Sequence, residues 1–108
     1  KNSNGNYVLG AGSNNPQWDI EDGNGWESSV RSPAYEEWVR FTFTIDWSAQ
    51  TFAVDFEQPA TDTTYTDSGR PLINATDVQY IEIWDKNNTN WGHGGSLEAW
   101  HDSFRVYL

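Results

Sequence analysis

Residues 38–57 read WVRFTFTIDWSAQTFAVDFE, and their alternation limits the folds open to the chain more than any other feature. Val39, Phe41, Phe43, Ile45 and Trp47 share one parity, while Arg40, Thr42, Thr44 and Asp46 share the other. A period of two built from aromatic and β-branched residues specifies a half-buried strand. After the polar break at Ser48, Ala49 and Gln50 the alternation resumes, with Phe52, Val54 and Phe56 inward and Thr51, Ala53, Asp55 and Glu57 outward. Two such runs joined by a short break predict a β-hairpin. Its apolar face is too large to stay in water, so a second layer must cover it. The fold class expected is all-β, an antiparallel sandwich of two sheets.

At 108 residues the chain fits a single domain, and a chain of this size buries roughly two-thirds of its unfolded surface without metals or disulfides. No apolar run is long enough for a transmembrane helix, so membrane insertion is not expected. Cysteine is absent, which rules out a disulfide scaffold and thiolate metal sites. Sixteen acidic residues against six basic ones give a formal charge of −10. Nucleic-acid phosphate and anionic lipid are therefore disfavoured as partners by like-charge repulsion. Calcium, neutral ligands or a salty medium suit such a surface. Seven tryptophans are more than a core this small needs, so several are expected at the surface, where exposed large aromatics call for a ligand or a partner.

Along the chain, residues 1–6 form a polar Asn/Gly turn, and Tyr7, Val8 and Leu9 read as a short strand stopped by the glycine-rich residues 10–16. A turn this early points to a partner strand upstream of Lys1, and thus to a piece of a larger sandwich. Residues 17–21 alternate imperfectly as a strand. Asp22, Gly23, Asn24 and Gly25 are a strong turn signal, followed by a short strand over residues 26–31 and a loop over 32–37. Residues 58–70, rich in Thr and Asp, read as a long connection, of the kind that is usually functional or covers a sheet edge. Strands are expected at residues 71–73, over 77–85 and in the closing segment 97–108. Between the last two lies a loop dense in Gly and Asn around Trp91 and His93.

Three pieces together carry a resemblance. Trp38-Val39-Arg40 runs through Asp46-Trp47 to Thr51-Phe52-Ala53-Val54; Arg70-Pro71-Leu72-Ile73-Asn74 precedes Val78-Gln79-Tyr80-Ile81-Glu82-Ile83; and His101-Asp102-Ser103-Phe104-Arg105-Val106-Tyr107 closes the chain. This order resembles the laminin-G-like members of the concanavalin A-like lectin/glucanase superfamily, over residues 36–108. The resemblance implies a jelly roll that lacks an N-terminal portion, a structural calcium near Asp102, and a carbohydrate ligand. Ser103 stands where that family commonly has a second Asp.

The glucanases of this superfamily carry acidic residues in a Glu-x-Asp-x-(x)-Glu pattern on one strand, and a retaining mechanism needs its two carboxyls about 5–5.5 Å apart. Asp19-Ile20-Glu21 has no glutamate two residues before Asp19, and Glu82 and Asp85 fall on opposite strand faces. His93 and His101 have no nucleophile-elbow serine or cysteine. No catalytic residue is assigned, and the chain is expected not to be an enzyme on its own.

Indole faces stack on pyranose rings, while Asn, Asp and His bond the hydroxyls. The expected ligand-binding residues are Trp91, His93, Asn88 and Asn90 of the late loop, then Trp26, Trp18 and Tyr65. Trp38, Trp47, Trp84 and Trp100 are assigned to packing. For calcium, Asp19, Glu21, Asp22 and Asn24 gather hard oxygen ligands around a glycine turn, and Asp102 is added by the resemblance. Asn74-Ala75-Thr76 and Asn87-Asn88-Thr89 are N-glycosylation sequons. The expected function is non-catalytic polysaccharide binding by a calcium-stabilised, exported domain at the cell surface or outside the cell. The alternative is a structural or adhesion sandwich with no glycan ligand.

Overall fold

The computed structural model describes residues 1–14, 17–28, 37–73, 75–79 and 105–106. These form two three-stranded antiparallel sheets, with one single-turn 3-10 helix at Pro59–Thr61. The first sheet holds β1 (Gly10–Asn14), β2 (Gln17–Asp22) and β3 (Gly25–Ser28) in that order. The second holds β4 (Arg40–Asp46), β5 (Thr51–Gln58) and β6 (Thr63–Pro71). The architecture is a β-sandwich in its layers.

The hairpin forms where the alternation places it. β4 and β5 pair from Arg40↔Glu57 to Asp46↔Thr51. Asp46 Oδ1 accepts the Ala49 N–H at 2.9 Å, and Gln50 closes the loop in the left-handed region with φ 54°. Phe52, Val54 and Phe56 on β5 are fully buried, while Phe41, Phe43 and Ile45 on β4 are half-buried. The central strand of a sheet has covered flanks and the edge strand does not, which separates the two runs. Trp47, expected inward, belongs to the turn and is exposed, because the loop leaves the pleat before that position.

Two expectations give way. Residues 58–70 are not a long loop: after the 3-10 turn they form β6, paired to β5 from Gln58↔Thr63 to Thr51↔Pro71. Thr63, Thr64 and Thr66 have the β-branched stiffness that suits a strand. The apolar alternation is missing because the inward positions carry Tyr65, Asp67 and Arg70 instead of aliphatic residues. Likewise the first strand is Gly10–Asn14, inside the stretch read as a breaker, and not residues 7–9. Its pairing runs Gly10↔Glu21 to Asn14↔Gln17. β3 confirms a strand start after the Asp22–Gly25 turn. Residues 77–79 and 105–106 are not strand, the brief strand expected at 71–73 is reduced to Pro71 as the end of β6, and the rest of the segments 77–85 and 97–108 lies outside the described residues, as do both sequon asparagines.

The core lies between the sheets. Trp18 and Ile20 of β2 face Phe52, Val54 and Phe56 of β5, with Val8, Leu72 and Ala75 closing the ends. Burying each of the larger side chains contributes about 1.5–3 kcal/mol. At one margin the apolar layer gives way to charge. Arg70, 18% exposed by its side chain, lies on the inner face of β6 and makes paired contacts to Asp67 at 2.7 and 2.9 Å. The same guanidinium bonds Glu27 on β3 and sits 4.0 Å from buried Asp22. The hydrogen bond to Asp67 drives the arginine pKa above its ordinary value; burial opposes this and Glu27 adds to it. Arg70 therefore stays cationic and ties the two sheets together.

Two contrasts test this packing. A Cβ at Gly23 would sit 2.5 Å from Ile73 Cβ, whereas one at Gly12 would meet nothing within 4 Å. Gly23→Ala should therefore cost about 1–3 kcal/mol in urea unfolding, and Gly12→Ala should be close to neutral. Arg70→Ala strands the Asp22, Glu27 and Asp67 carboxylates and should cost about 2–4 kcal/mol. Arg40→Ala, which breaks only an exposed 3.8 Å pair with Glu57, should cost about 0–1 kcal/mol. Equal losses for the two arginines would contradict the inter-sheet role of Arg70.

Candidate functional site

β2 decides where the candidate residues go, because its side chains alternate between the two faces of the first sheet. Trp18, Ile20 and Asp22 point between the sheets; Asp19 and Glu21 point to the outer face. Trp18 is only 4% exposed. Its ring centroid lies 5.5 Å from Phe41, edge to face, and 5.1 Å from Phe56. Trp18 is therefore a core residue, and no ring face is left for a sugar. Tyr65 is half-buried and tilted against Phe56 at 5.9 Å, a packing position at the margin of the core. Trp91, His93, Asn88 and Asn90 lie outside the described residues, and so does Asp102.

Trp26 has a different setting. It stands on β3 opposite Glu21, which in turn stands opposite Gly10 on β1, so the three form one row across the outer face. The far atom of the indole, Cη2, comes within 3.6 Å of the point a Cβ on Gly10 would occupy, and Glu21 Oε2 within 3.5 Å of the same point. Neighbouring strands are about 4.8 Å apart. An indole rooted on β3 that reaches β1 must thus lie along the sheet, over Glu21. A Cβ at position 10 would make ordinary van der Waals contact with both the ring and the carboxylate. The indole stays 46% exposed, and it also makes an interaction within the protein.

The next row along the strands holds Gly12 opposite Asp19, with Ser28 as the register partner of Asp19. Among the described residues nothing lies within 4 Å of the point a Cβ on Gly12 would occupy. Asp19 and Glu21 are each 7% exposed, and both are held by interactions within the protein. Among the described residues no buried side-chain nitrogen or oxygen lacks a hydrogen-bond partner. A carboxylate has about four acceptor positions, so an internal partner does not use up its capacity.

The acidic residues expected to share a calcium ion are divided by the strand. Asp22, facing inward, accepts the Asn24 N–H at 2.7 Å and lies beside Arg70, whereas Asp19 and Glu21 face the opposite way. Ca2+ takes six to eight oxygens around one point, and these side chains do not converge on one. Among the described residues no group of three acidic or histidine side chains is placed to hold a metal. None of their helices is long and apolar enough to cross a membrane.

The glycines at positions 10 and 12 went unrecognised in the sequence. The available signal was their spacing of two, since glycine inside a strand marks a place where another group comes close. Comparison with protein-family models, with curated proteins and with solved structures gave no match to this chain.

The two indoles separate by substitution. Trp18→Ala should cost about 3–5 kcal/mol, read as a lowered urea midpoint. Trp26→Ala, at an indole 46% exposed, should cost no more than about 1 kcal/mol.

Proposed function

We propose that this domain binds carbohydrate without cleaving it, and that Trp26 is its platform. The observation that carries this is the indole laid across the outer face of the first sheet while it stays 46% exposed. A pyranose presents a face of C–H bonds that suits such a surface, and an aromatic already held in place loses little conformational freedom on binding. The open space above Gly12 lies one strand repeat away, roughly 7 Å, which is room for a second sugar unit beside the first. Asp19 and Glu21 flank that path as acceptors for hydroxyl groups.

The jelly-roll topology, the kinship with laminin-G-like domains, a location outside the cell and a contribution from Trp91, His93, Asn88 and Asn90 belong to the same proposal. Calcium enters it only through residues beyond the β2 set, Asp102 first among them.

The test is tryptophan fluorescence and affinity electrophoresis against soluble plant, algal and microbial polysaccharides, with Ca2+ and again with EDTA. The expected result is saturable binding to at least one polysaccharide, weakened at least tenfold by Trp26→Ala in a protein with unchanged far-UV circular dichroism. Loss in EDTA would assign the ion to acidic residues outside the β2 strand. A flat response over the whole panel from the folded protein would sink carbohydrate binding.

A further inference from the structure

Among the described residues the two sheets have four edge strands, β1, β3, β4 and β6, and they are not equally guarded against pairing with another chain. β3 has only four residues, and β1 carries glycine at positions 10 and 12. β6 ends on Pro71 and is bulged, because the step from Phe52 to Val54 on β5 is matched by the longer step from Arg70 to Asp67. Short edges, prolines and bulges are the devices that stop edge-to-edge pairing. β4 has none of them. It runs Arg40–Asp46 without glycine or proline, and its pairing with β5 is regular throughout.

Exposure marks β4 as the outermost strand of its sheet. Its even-numbered residues are exposed and its odd-numbered ones half-buried, whereas the two faces of β5 are half-buried and buried. Trp38, assigned to packing from the sequence, stands before this strand 60% exposed, and Trp47 stands after it 44% exposed. A half-apolar edge with a large indole at each end is a surface that calls for a partner.

The residues of β4 say which partner. Set two copies antiparallel about a two-fold axis at Phe43, and Arg40 of each faces Asp46 of the other. Thr42 then faces Thr44, Phe41 faces Ile45, and Phe43 faces its own counterpart. Opposite charges, paired hydroxyls and paired apolar side chains are the cross-strand neighbours that stabilise a sheet. The same register carries Trp47 to Val39 of the second copy and Trp38 to its Ser48. Facing residues must share a face of the sheet, so the nearest other axes are at Thr42 and Thr44. Those put Arg40 opposite Thr44 or Ser48 and lose both ion pairs. Within its own chain Arg40 reaches Glu57 at 3.8 Å with 70% of its side chain exposed. Asp46, also exposed, uses Oδ1 for the Ala49 N–H. Both groups remain accessible to a partner.

We propose that two copies of this chain join β4 to β4 about a two-fold axis at Phe43, so that their second sheets become one continuous sheet. The contact is isologous and closes at the dimer. It does not depend on what Trp26 binds.

The test has two arms on the intact chain. Sedimentation equilibrium from micromolar to millimolar concentration should show a reversible monomer–dimer equilibrium. Arg40→Glu sets a like charge against each Asp46 and should weaken the dimer at least about tenfold, whereas Arg40→Lys should keep it. A monomer at every concentration, growth past the dimer, or a dimer indifferent to Arg40→Glu would each overturn the proposal. The second arm reads the register. The chain has no cysteine, so Thr42→Cys and Thr44→Cys, both at exposed positions, are clean reporters. Under mild oxidation a mixture of the two variants should give several-fold more disulfide-linked dimer than either alone, because position 42 faces 44 and neither faces itself. Equal linking in all three samples would overturn the paired edges.

Discussion

The contact between Trp18 of β2 and the Phe41–Phe56 pair of the hairpin is what the rest of the structure depends on. The three rings sit within 5.5 Å of one another, two of the contacts edge to face. Edge-to-face rings add about 0.5–1.5 kcal/mol each beyond the area they bury. Their geometry also fixes how the sheets face one another. With Trp18 turned inward, strand alternation sends Asp19 and Glu21 to the other side of the sheet whatever their own chemistry prefers. The candidate site is thus a consequence of the core: the same alternation that closes the sandwich places Glu21 under Trp26 and Asp19 in the next row.

Charge completes what the apolar layer leaves open. The sandwich has too few aliphatic residues on β6 to seal that margin, and Arg70 takes the position instead, bonded to its own strand through Asp67 and to the opposite sheet through Glu27. A guanidinium suits this job because its planar fork can bond two carboxylates at once while its stem packs along the core. One cation among three carboxylates leaves the cluster negative, in keeping with the acidic character of the whole chain. The cluster lies between the sheets, whereas the Trp26 platform is on the outer face.

Much of this was legible in the residues. The hairpin followed from an alternation that only one register can bury, and the turn at residues 22–25 followed from its Asp, Gly and Asn content. Where the sequence misled, one cause recurs. Strand β6 has the right backbone preferences but polar inward residues, so a search for apolar alternation passes over it. Strand β1 is rich in glycine, which reads as a break until the strand that pairs with it is known. Trp18 and Trp26 are both tryptophans beside acidic residues, and composition cannot tell them apart.

By itself, then, the sequence determined the all-β character, the central hairpin, the need for a covering sheet and the acidic surface, because each depends on local periodicity or on a sum over residues. Tertiary structure alone decided that Trp18 belongs to the core and Trp26 to the surface, and that the indole reaches over Glu21 to Gly10. It also divided the three acidic residues of β2 between two faces and set Arg70 between the sheets. Those outcomes depend on which strand lies opposite which, a relation between residues distant in the chain that no local pattern encodes.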